Sequence, residues 1–446
     1  MRPLFFASVG GMRIPQEQPF VPVITGGDVG TYSLAREFHE AFGAISAVVP
    51  TSVNRNLRHS RILQAFPAGP MTTSEPVIAA FKEVAAELTD HGARPRPLLL
   101  LANYDHLVRF AVEHRAELED LGYTIPYPST QLLDRVALKE NFYSLCDELG
   151  VPYPKTATYD CAAHSSERAH TFAREQIRAA DVRFPLVLKA GDGAAWADIS
   201  FEGRRKVHYV DDAETLAGLL SSAADAGYTG TLIAQEHIPG PDSQLRLATY
   251  FCDQTGQVRL TAYGEVVVED HAPGLEGNSP AVLTSRDETV EKQGAAILRA
   301  IGWRGFAMFD IKVDRRDGVA KFLELNPRLG RNHHYLTASG VNPARLYVEE
   351  HLRGGLGGPE HRVAKQPALH TTLPLPLVKR HASDDQRRRI EWLADQGRVV
   401  NPFFYDADAD LRRTLYHRAM QAKAFRTYRQ HPPPSGAELR NSVELR

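Results

Sequence analysis

The sequence predicts a mixed α/β and α+β protein: an N-terminal open parallel α/β domain, an α+β region after it, and a helical C-terminal extension. Three observations carry this. Residues 20–125 alternate short apolar runs with helical patterns, as a parallel sheet with helical crossovers does. Beyond residue 184 the apolar runs include hairpin pairs around turn residues. From about residue 384 the pattern is charged and helical. At 446 residues the chain exceeds one simple core and implies about two to four domains.

Residues 1–19 read as an N-terminal extension and 20–130 as the first domain. Phe20-Val21-Pro22-Val23-Ile24-Thr25 is a short strand that runs into Gly26-Gly27-Asp28-Val29-Gly30 and a helix over 32–42. The glycines do not follow Gly-x-Gly-x-x-Gly, and a tight turn needing positive φ explains them as well. Leu98-Leu99-Leu100-Leu101-Ala102 is a second buried strand, followed by Asn103-Tyr104-Asp105 and a helix. Ligands of open parallel sheets sit at the carboxyl ends of strands. Asp28 is there, a candidate for meeting an amine or amino acid and equally a turn cap.

Residues 131–150 read as one helix ended by Gly150. Val151-Pro152-Tyr153-Pro154-Lys155 is a stiff connector. A strand over 184–190 delivers Lys189 to Gly191-Asp192-Gly193-Ala194-Ala195, a small-residue loop whose N–H groups can approach phosphate and which reads as a mobile lid. A strand over 206–210, a helix over 213–226 and a strand over 231–236 follow. The last ends in Gln235-Glu236-His237-Ile238-Pro239-Gly240, an extended segment whose backbone edge suits adenine, with Asp242 placed to hold a ribose hydroxyl. Hairpin strands over 246–251 and 258–263 and a helix over 290–302 complete the region.

The most informative run is Lys321-Phe322-Leu323-Glu324-Leu325-Asn326-Pro327-Arg328. As a strand it points Glu324 and Asn326 to one face. Upstream, Phe306-Ala307-Met308-Phe309-Asp310-Ile311-Lys312-Val313 is a second strand with one acid, and Asp317-Gly318 turns between them. Two carboxylates and an amide are hard oxygen donors of the kind Mg²⁺ takes while leaving room for phosphate. A hairpin with ordinary surface acids is the plainer alternative. Lys139 and Lys189 offer phosphate charge, although a surface helix position also explains Lys139, and a turn also explains Asp242.

Composition narrows the function classes. The net charge of −2 gives no global field for nucleic acid or membrane. Arg204-Arg205-Lys206 and Arg387-Arg388-Arg389 lack interleaved aromatics and read as solvated faces. No run approaches the ~20 apolar residues of a membrane helix, and the short, glycine-interrupted start does not read as a signal peptide. Three widely spaced cysteines show no metal spacing and point to reduced thiols in the cytoplasm. His333-His334 lacks a third ligand and reads as pocket lining or surface.

The order of these features resembles the ATP-grasp superfamily over roughly residues 20–350. The resemblance implies a nucleotide held between two α+β subdomains, with residues 131–240 including the smaller one, 241–355 the metal-binding one, and 356–446 a C-terminal extension whose end is disordered. Carried onto this chain it implies Lys139 and Lys189 on phosphate, Gln235, Glu236, His237 and Ile238 at adenine, and Asp242 on ribose. It implies Asp310, Glu324 and Asn326 on Mg²⁺ and Arg328 on the transferred phosphate. Gln235 departs from the glutamate frequent at that position.

Further strings are similar to those of D-aspartate ligases that build peptidoglycan cross-bridges: Pro22-Val23-Ile24-Thr25-Gly26-Gly27-Asp28, Val151-Pro152-Tyr153-Pro154-Lys155-Thr156, Phe201-Glu202-Gly203-Arg204-Arg205-Lys206, Gly277-Asn278 and Gly330-Arg331. The implied activity is ATP- and Mg²⁺-dependent amide formation through an acyl phosphate. Aspartate, expected as the D-isomer, would be joined to the lysine side-chain amine of a peptidoglycan precursor. Arg246 and Arg331 then grip the acyl phosphate or a spare carboxylate, although a strand-edge ion pair equally explains Arg246. Asp28 and Asn278 line the substrate pocket. The alternatives are a ligase joining other amino acids and a catalytically silent ATP-binding sensor.

Overall fold

The computed structural model describes residues 13–50, 55–66, 74–137, 139–191, 193–205, 207–275, 277–358 and 360–433. Most of the expected N-terminal extension, the expected disordered end, Asp192 and Lys206 lie outside them. The chain divides into two compact units, one of Met1–Leu133, Leu245–Asp310 and Asn326–Pro433, the other of Asp134–Gln244, Ile311–Leu325 and Pro434–Arg446. They interleave in sequence, whereas the reading above cut the chain into consecutive spans.

The first unit opens with a five-stranded sheet in the order Leu63–Ala65, Ser46–Val49, Val21–Thr25, Leu98–Ala102, Tyr123–Thr124. Every pairing in it is parallel. Runs buried on both faces, such as Leu98–Ala102, are what a parallel sheet requires. Gly26, at φ 137, leaves no room for a Cβ against the Asn103 side chain. The helix Val29–Phe42 starts under the Asp28 cap and stops at Gly43, whose φ of 65 is left-handed.

A larger sheet runs Ala320–Asn326, Gly305–Val313, Leu245–Cys252, Val258–Val268, Ala281–Ser285, Leu369–Thr371, Val399–Val400, with Arg362–Ala364 also on Val258–Val268. Its outermost hairpin carries the chain out of the first unit after Asp310 and back at Asn326. Phe38, Tyr32, Phe251, Phe306, Tyr335 and Tyr347 share one buried cluster. Each such side chain contributes about 1.5–3 kcal/mol on burial, so the cluster joins the parallel sheet to the larger one within this unit.

The C-terminal stretch is built into the same unit. Leu369–Thr371 pairs antiparallel with Ala281–Ser285. Asp408 is buried, accepts from the hydroxyls of Tyr32 (2.7 Å) and Ser60 (2.9 Å) and pairs with Arg413 at 3.3 Å. The Arg413 guanidinium stacks over Tyr32, and Arg36 donates to the carbonyls of Asn401 and Pro402. A helix spans Leu411–Gln430.

The second unit contains a four-stranded antiparallel sheet in the order Thr156–Asp160, Thr231–Glu236, Leu186–Ala190, Val207–Val210. Two predicted features differ here. The single helix over 131–150 is two, Thr130–Ala137 and Lys139–Leu149. The small-residue loop after Lys189 is mostly the helix Gly193–Asp198, because Trp196 is buried in the unit's core and its indole N–H donates to the Arg205 carbonyl at 2.9 Å. A tryptophan so held does not suit a freely mobile lid. Among the described residues no helix is long and apolar enough to cross a membrane. Cys146, Cys161 and Cys252 are buried and unbridged, and burial pushes each thiol up to about 12.

Candidate active site

In the first unit the strands Val21–Thr25 and Leu98–Ala102 are neighbours and end side by side. Their trailing residues form one acidic rim. Asp28 Oδ1 accepts from the N–H groups of Gly30 (2.9 Å) and Thr31 (3.2 Å) and from the Asn103 amide. Its Oδ2 faces Arg331 Nε at 3.2 Å. Asp28 is therefore both the cap and the ion-pair partner, with one oxygen for each. Asp105 accepts from Arg328 Nη2 at 2.8 Å. The two arginines of the Asn-Pro-Arg-Leu-Gly-Arg run thus dock on the two adjacent strand ends. A Cβ at Gly30 would lie 2.9 Å from Asn103 Nδ2 and 3.3 Å from the Arg331 Cα.

The expected metal residues fall on paired strands. Asn326 Nδ2 donates to Asp310 Oδ2 at 2.9 Å, and Asn326 Oδ1 accepts from Arg328 at 3.4 Å. Turning that amide over would put its oxygen beside the carboxylate, so the pair fits a hard dication. Glu324 lies two residues back along the same strand, in the portion assigned to the second unit.

Beneath Arg331 lies a group that sequence reading placed wrongly. His333 and His334 are neither surface nor pocket lining; both are fully buried on Glu37. His333 Nε2 is 2.9 Å from Glu37 Oε2, and its Nδ1 is 2.8 Å from the Gly330 carbonyl. Both partners only accept, so both ring nitrogens must donate and His333 is an imidazolium. Burial opposes that charge, but Glu37 raises the ring's pKa overall. Burial likewise opposes the Glu37 charge, but His333 and His334 hold it down to about 2. His334 Nδ1 and Thr337 Oγ1 complete the set at 3.0 and 2.7 Å. This pair locks the turn that presents Arg328 and Arg331.

In the second unit Lys139 begins its helix, with Nζ 3.7 Å from Glu324. Lys189 sits in the central strand Leu186–Ala190 between Val207 and Ile233. Gln235 is buried and its Nε2 donates to Tyr143 (2.6 Å) and Thr156 (3.1 Å); both hydroxyls spend their protons on the Leu323 and Pro154 carbonyls, so an amide donor suits where a carboxylate would meet only acceptors. Glu236 spends its side chain on Lys321 (2.9 Å) and Arg316, and its N–H on the Lys155 carbonyl (2.8 Å). The ladder ends there, so residues 237–239 carry the extended segment. Burial, then the charges of Lys312 and Arg316, push His237 down to about 4, so its ring is neutral. Ile238 and Asp242 are buried.

Arg246, in the first unit, lies opposite Glu265 in the ladder and donates to the Leu245 carbonyl at 2.8 Å. Asn278 lines a small open cleft in the same unit, together with Asp270, Arg331, Asn332, His370 and Thr372. Asn332 Oδ1 and His370 Nδ1 are buried there without a hydrogen-bond partner. Each such group costs about 1–3 kcal/mol. Asp105, Asp270, Asn332 and His370 were missed in the sequence. Asp105 was findable, because it follows a buried strand as Asp28 does; the other three carry no local signal.

No protein-family profile matches the chain. It is 27% identical over 425 residues to a D-aspartate ligase of Enterococcus faecium, covering 92% of this chain and 96% of that one. Solved structures match more distantly. The biotin carboxylase domain of a Hydrogenobacter thermophilus 2-oxoglutarate carboxylase, in complex with MgADP and bicarbonate, has a TM-score of 0.55 at 16% identity, over 77% of this chain and 71% of that one. An L-amino acid ligase of Bacillus licheniformis has a TM-score of 0.50 at 14% identity, over 77% and 79%. The fold is the ATP-grasp fold, shared with these solved structures.

Proposed function

We propose that the chain is an ATP-dependent carboxylate–amine ligase that activates D-aspartate at its side-chain carboxylate and joins it to the lysine side-chain amine of a peptidoglycan precursor. The observation that carries the reading is sequence similarity to a D-aspartate ligase along nearly the whole of both chains, combined with two arginines presented on a locked turn at the parallel-sheet edge. A donor with two carboxylates leaves one anion to be held while the other reacts, and a guanidinium fork suits that.

In the reaction a carboxylate oxygen of the donor attacks the γ-phosphorus of ATP, and the bond to ADP breaks. The amine then attacks the acyl carbon, the carbon–oxygen bond to phosphate breaks, and an amide forms. Lys139 and Lys189 carry charge for the phosphates, and residues 235–238 with Asp242 bind the nucleoside. Arg328 holds the phosphoryl group being transferred. Asp310, Glu324 and Asn326 would hold Mg²⁺, which supplies neutralisation of phosphate charge. Arg246 and Arg331 grip the donor's second carboxylate or the acyl phosphate, and Asn278 lines its pocket. A lysine amine titrates near pH ~10.4 and attacks only unprotonated, so a proton must leave it; Asp28 or a phosphate oxygen takes it.

Mass spectrometry of ATP, Mg²⁺, either aspartate isomer and a nucleotide-linked lysine pentapeptide tests this. The expected product is heavier by one aspartyl residue with D-aspartate and absent with L-aspartate. A clean adduct with another amino acid and none with aspartate would overturn the specificity and keep the ligase chemistry. Nucleotide binding without ADP release under any of these conditions would favour a silent sensor.

A further inference from the structure

The cleft on the first unit holds an acid and a base that the ligase reading has so far used only by half. Arg331 supplies the cation. We propose that Asp270 anchors the α-ammonium group of the donor amino acid, and that Tyr428 of the C-terminal helix is the residue that positions it. The inference rests on the ligase reading and deepens it by assigning the other end of the donor.

Asp270 sits just past the strand Val258–Val268, half-buried, and is held from two sides. Its N–H donates to the Asn278 carbonyl at 2.8 Å, which closes the loop that carries Asn278. Its Oδ1 accepts from the Tyr428 hydroxyl at 2.8 Å. The Tyr428 ring is buried among Leu369, Leu373 and Leu377, so packing sets where its hydroxyl lies, and that hydroxyl also reaches the Glu269 carbonyl at 3.2 Å. Burial raises the carboxyl's pKa, against the smaller opposing effects of Tyr428, Arg331 and His271. The carboxylate is thus short of cationic compensation, which an ammonium ion supplies.

The remaining lining suits the same ligand. An ammonium group has three N–H donors and needs acceptors; Asn332 Oδ1 is buried there without a partner, while Asn332 Nδ2 donates to the Ser279 carbonyl at 3.3 Å. His370, delivered by the strand Leu369–Thr371, also lacks a partner on Nδ1, and burial keeps its ring neutral. Arg331 meets Asp28 through Nε and has other donors in its fork for a carboxylate. An acid, a guanidinium and unpaired buried polar atoms in one lining match a zwitterion.

The test compares aspartate with succinate, the same dicarboxylate without the amine. The full chain is given ATP, Mg²⁺ and hydroxylamine. Hydroxylamine attacks the acyl phosphate carbon, phosphate leaves, and the hydroxamate is read by colour. Wild type is expected to prefer aspartate strongly. Asp270→Asn should lose at least about tenfold in kcat/KM for aspartate and leave succinate nearly unchanged, so the preference collapses. Tyr428→Phe should raise KM for aspartate with kcat retained, a split that general destabilisation would not produce. Wild-type preference in Asp270→Asn, or an unchanged KM in Tyr428→Phe, overturns the assignment while leaving the ligase reading intact. If wild type activates a different amino acid, that amino acid and its desamino counterpart make the same comparison. If it activates only carboxylates without an amine, the donor reading and the ammonium anchor fall together.

Discussion

The two units differ in the charges that stand nearest the expected chemistry. In the first, charges are buried in matched sets: Glu37 with His333 and His334, Asp408 with Arg413, and Asp253 with Arg259 at 2.8 Å. In the second, the buried Asp314 and the half-buried Glu236 likewise pair with Lys321, but Lys139, one of the two lysines expected on phosphate, lies 3.7 Å from a partly exposed Glu324. A buried pair that loses one member leaves an uncompensated charge, while a partly solvated pair exchanges partners at little cost. The first unit therefore reads as a preformed frame for the carboxyl substrate. In the second the Lys139–Glu324 contact is long and its carboxylate partly solvated, so this lysine can exchange that partner for a polyphosphate.

The largest effect should come at the residues expected to hold Mg²⁺. Glu324→Gln and Asn326→Ala are expected to lower ADP release by about a hundredfold or more, with thermal melts close to wild type. Normal turnover at moderate Mg²⁺ in both would remove the metal site.

Breaking the frame itself should cost stability. Glu37→Gln leaves the buried His333 without its anion and is expected to destabilise the protein by about 3–5 kcal/mol. The pH dependence follows from the signs. Glu37 has a folded pKa depressed to about 2 from an ordinary 4.5, so its contribution is present above 4.5 and is lost as pH falls from there toward 2. His333 has a raised folded pKa, so its contribution is full below its ordinary 6.5 and is lost as pH rises through the raised value. Melts of wild type and Glu37→Gln across pH should differ most between those limits. A difference independent of pH would mean the pair is not ionic.

The exchangeable side of the comparison predicts a gentler response. Lys189→Ala should weaken ATP binding about tenfold, or about 1.4 kcal/mol, and Lys189→Arg should recover only part of it, because a planar fork does not replace a point charge. Titration with nucleotide measures both, and unchanged affinity in the alanine variant would place Lys189 away from phosphate. The smallest effect is on pH: turnover should rise a few-fold above neutral as the acceptor amine loses its proton. A flat profile would mean that deprotonation occurs on the enzyme before the rate-limiting step.

Much of the architecture was readable because it is local. Apolar runs alternating with helical patterns marked Val21–Thr25 and Leu98–Ala102 as parallel strands, and the Asp317-Gly318 turn marked the Asp310 and Asn326 strands as a hairpin. Asp28 was legible as a cap and as an ionic group, although not as both at once. The loop after Lys189 misled because small residues resemble a flexible turn; its helix is held by Trp196, whose core partners are distant in sequence.

By itself the sequence determined most element types and set the Glu-x-Asn-Pro-Arg run at the end of a strand, because backbone periodicity and turn chemistry act over a few residues. Only the tertiary structure decided which charges meet. Glu37 and His333 lie 296 residues apart, Tyr32 and Asp408 lie 376 apart, and Asp270 meets Tyr428 from a helix that sequence order sets outside the catalytic region. No local pattern encodes such partners. Each pair is chosen by which buried groups the folded core leaves close enough to satisfy one another.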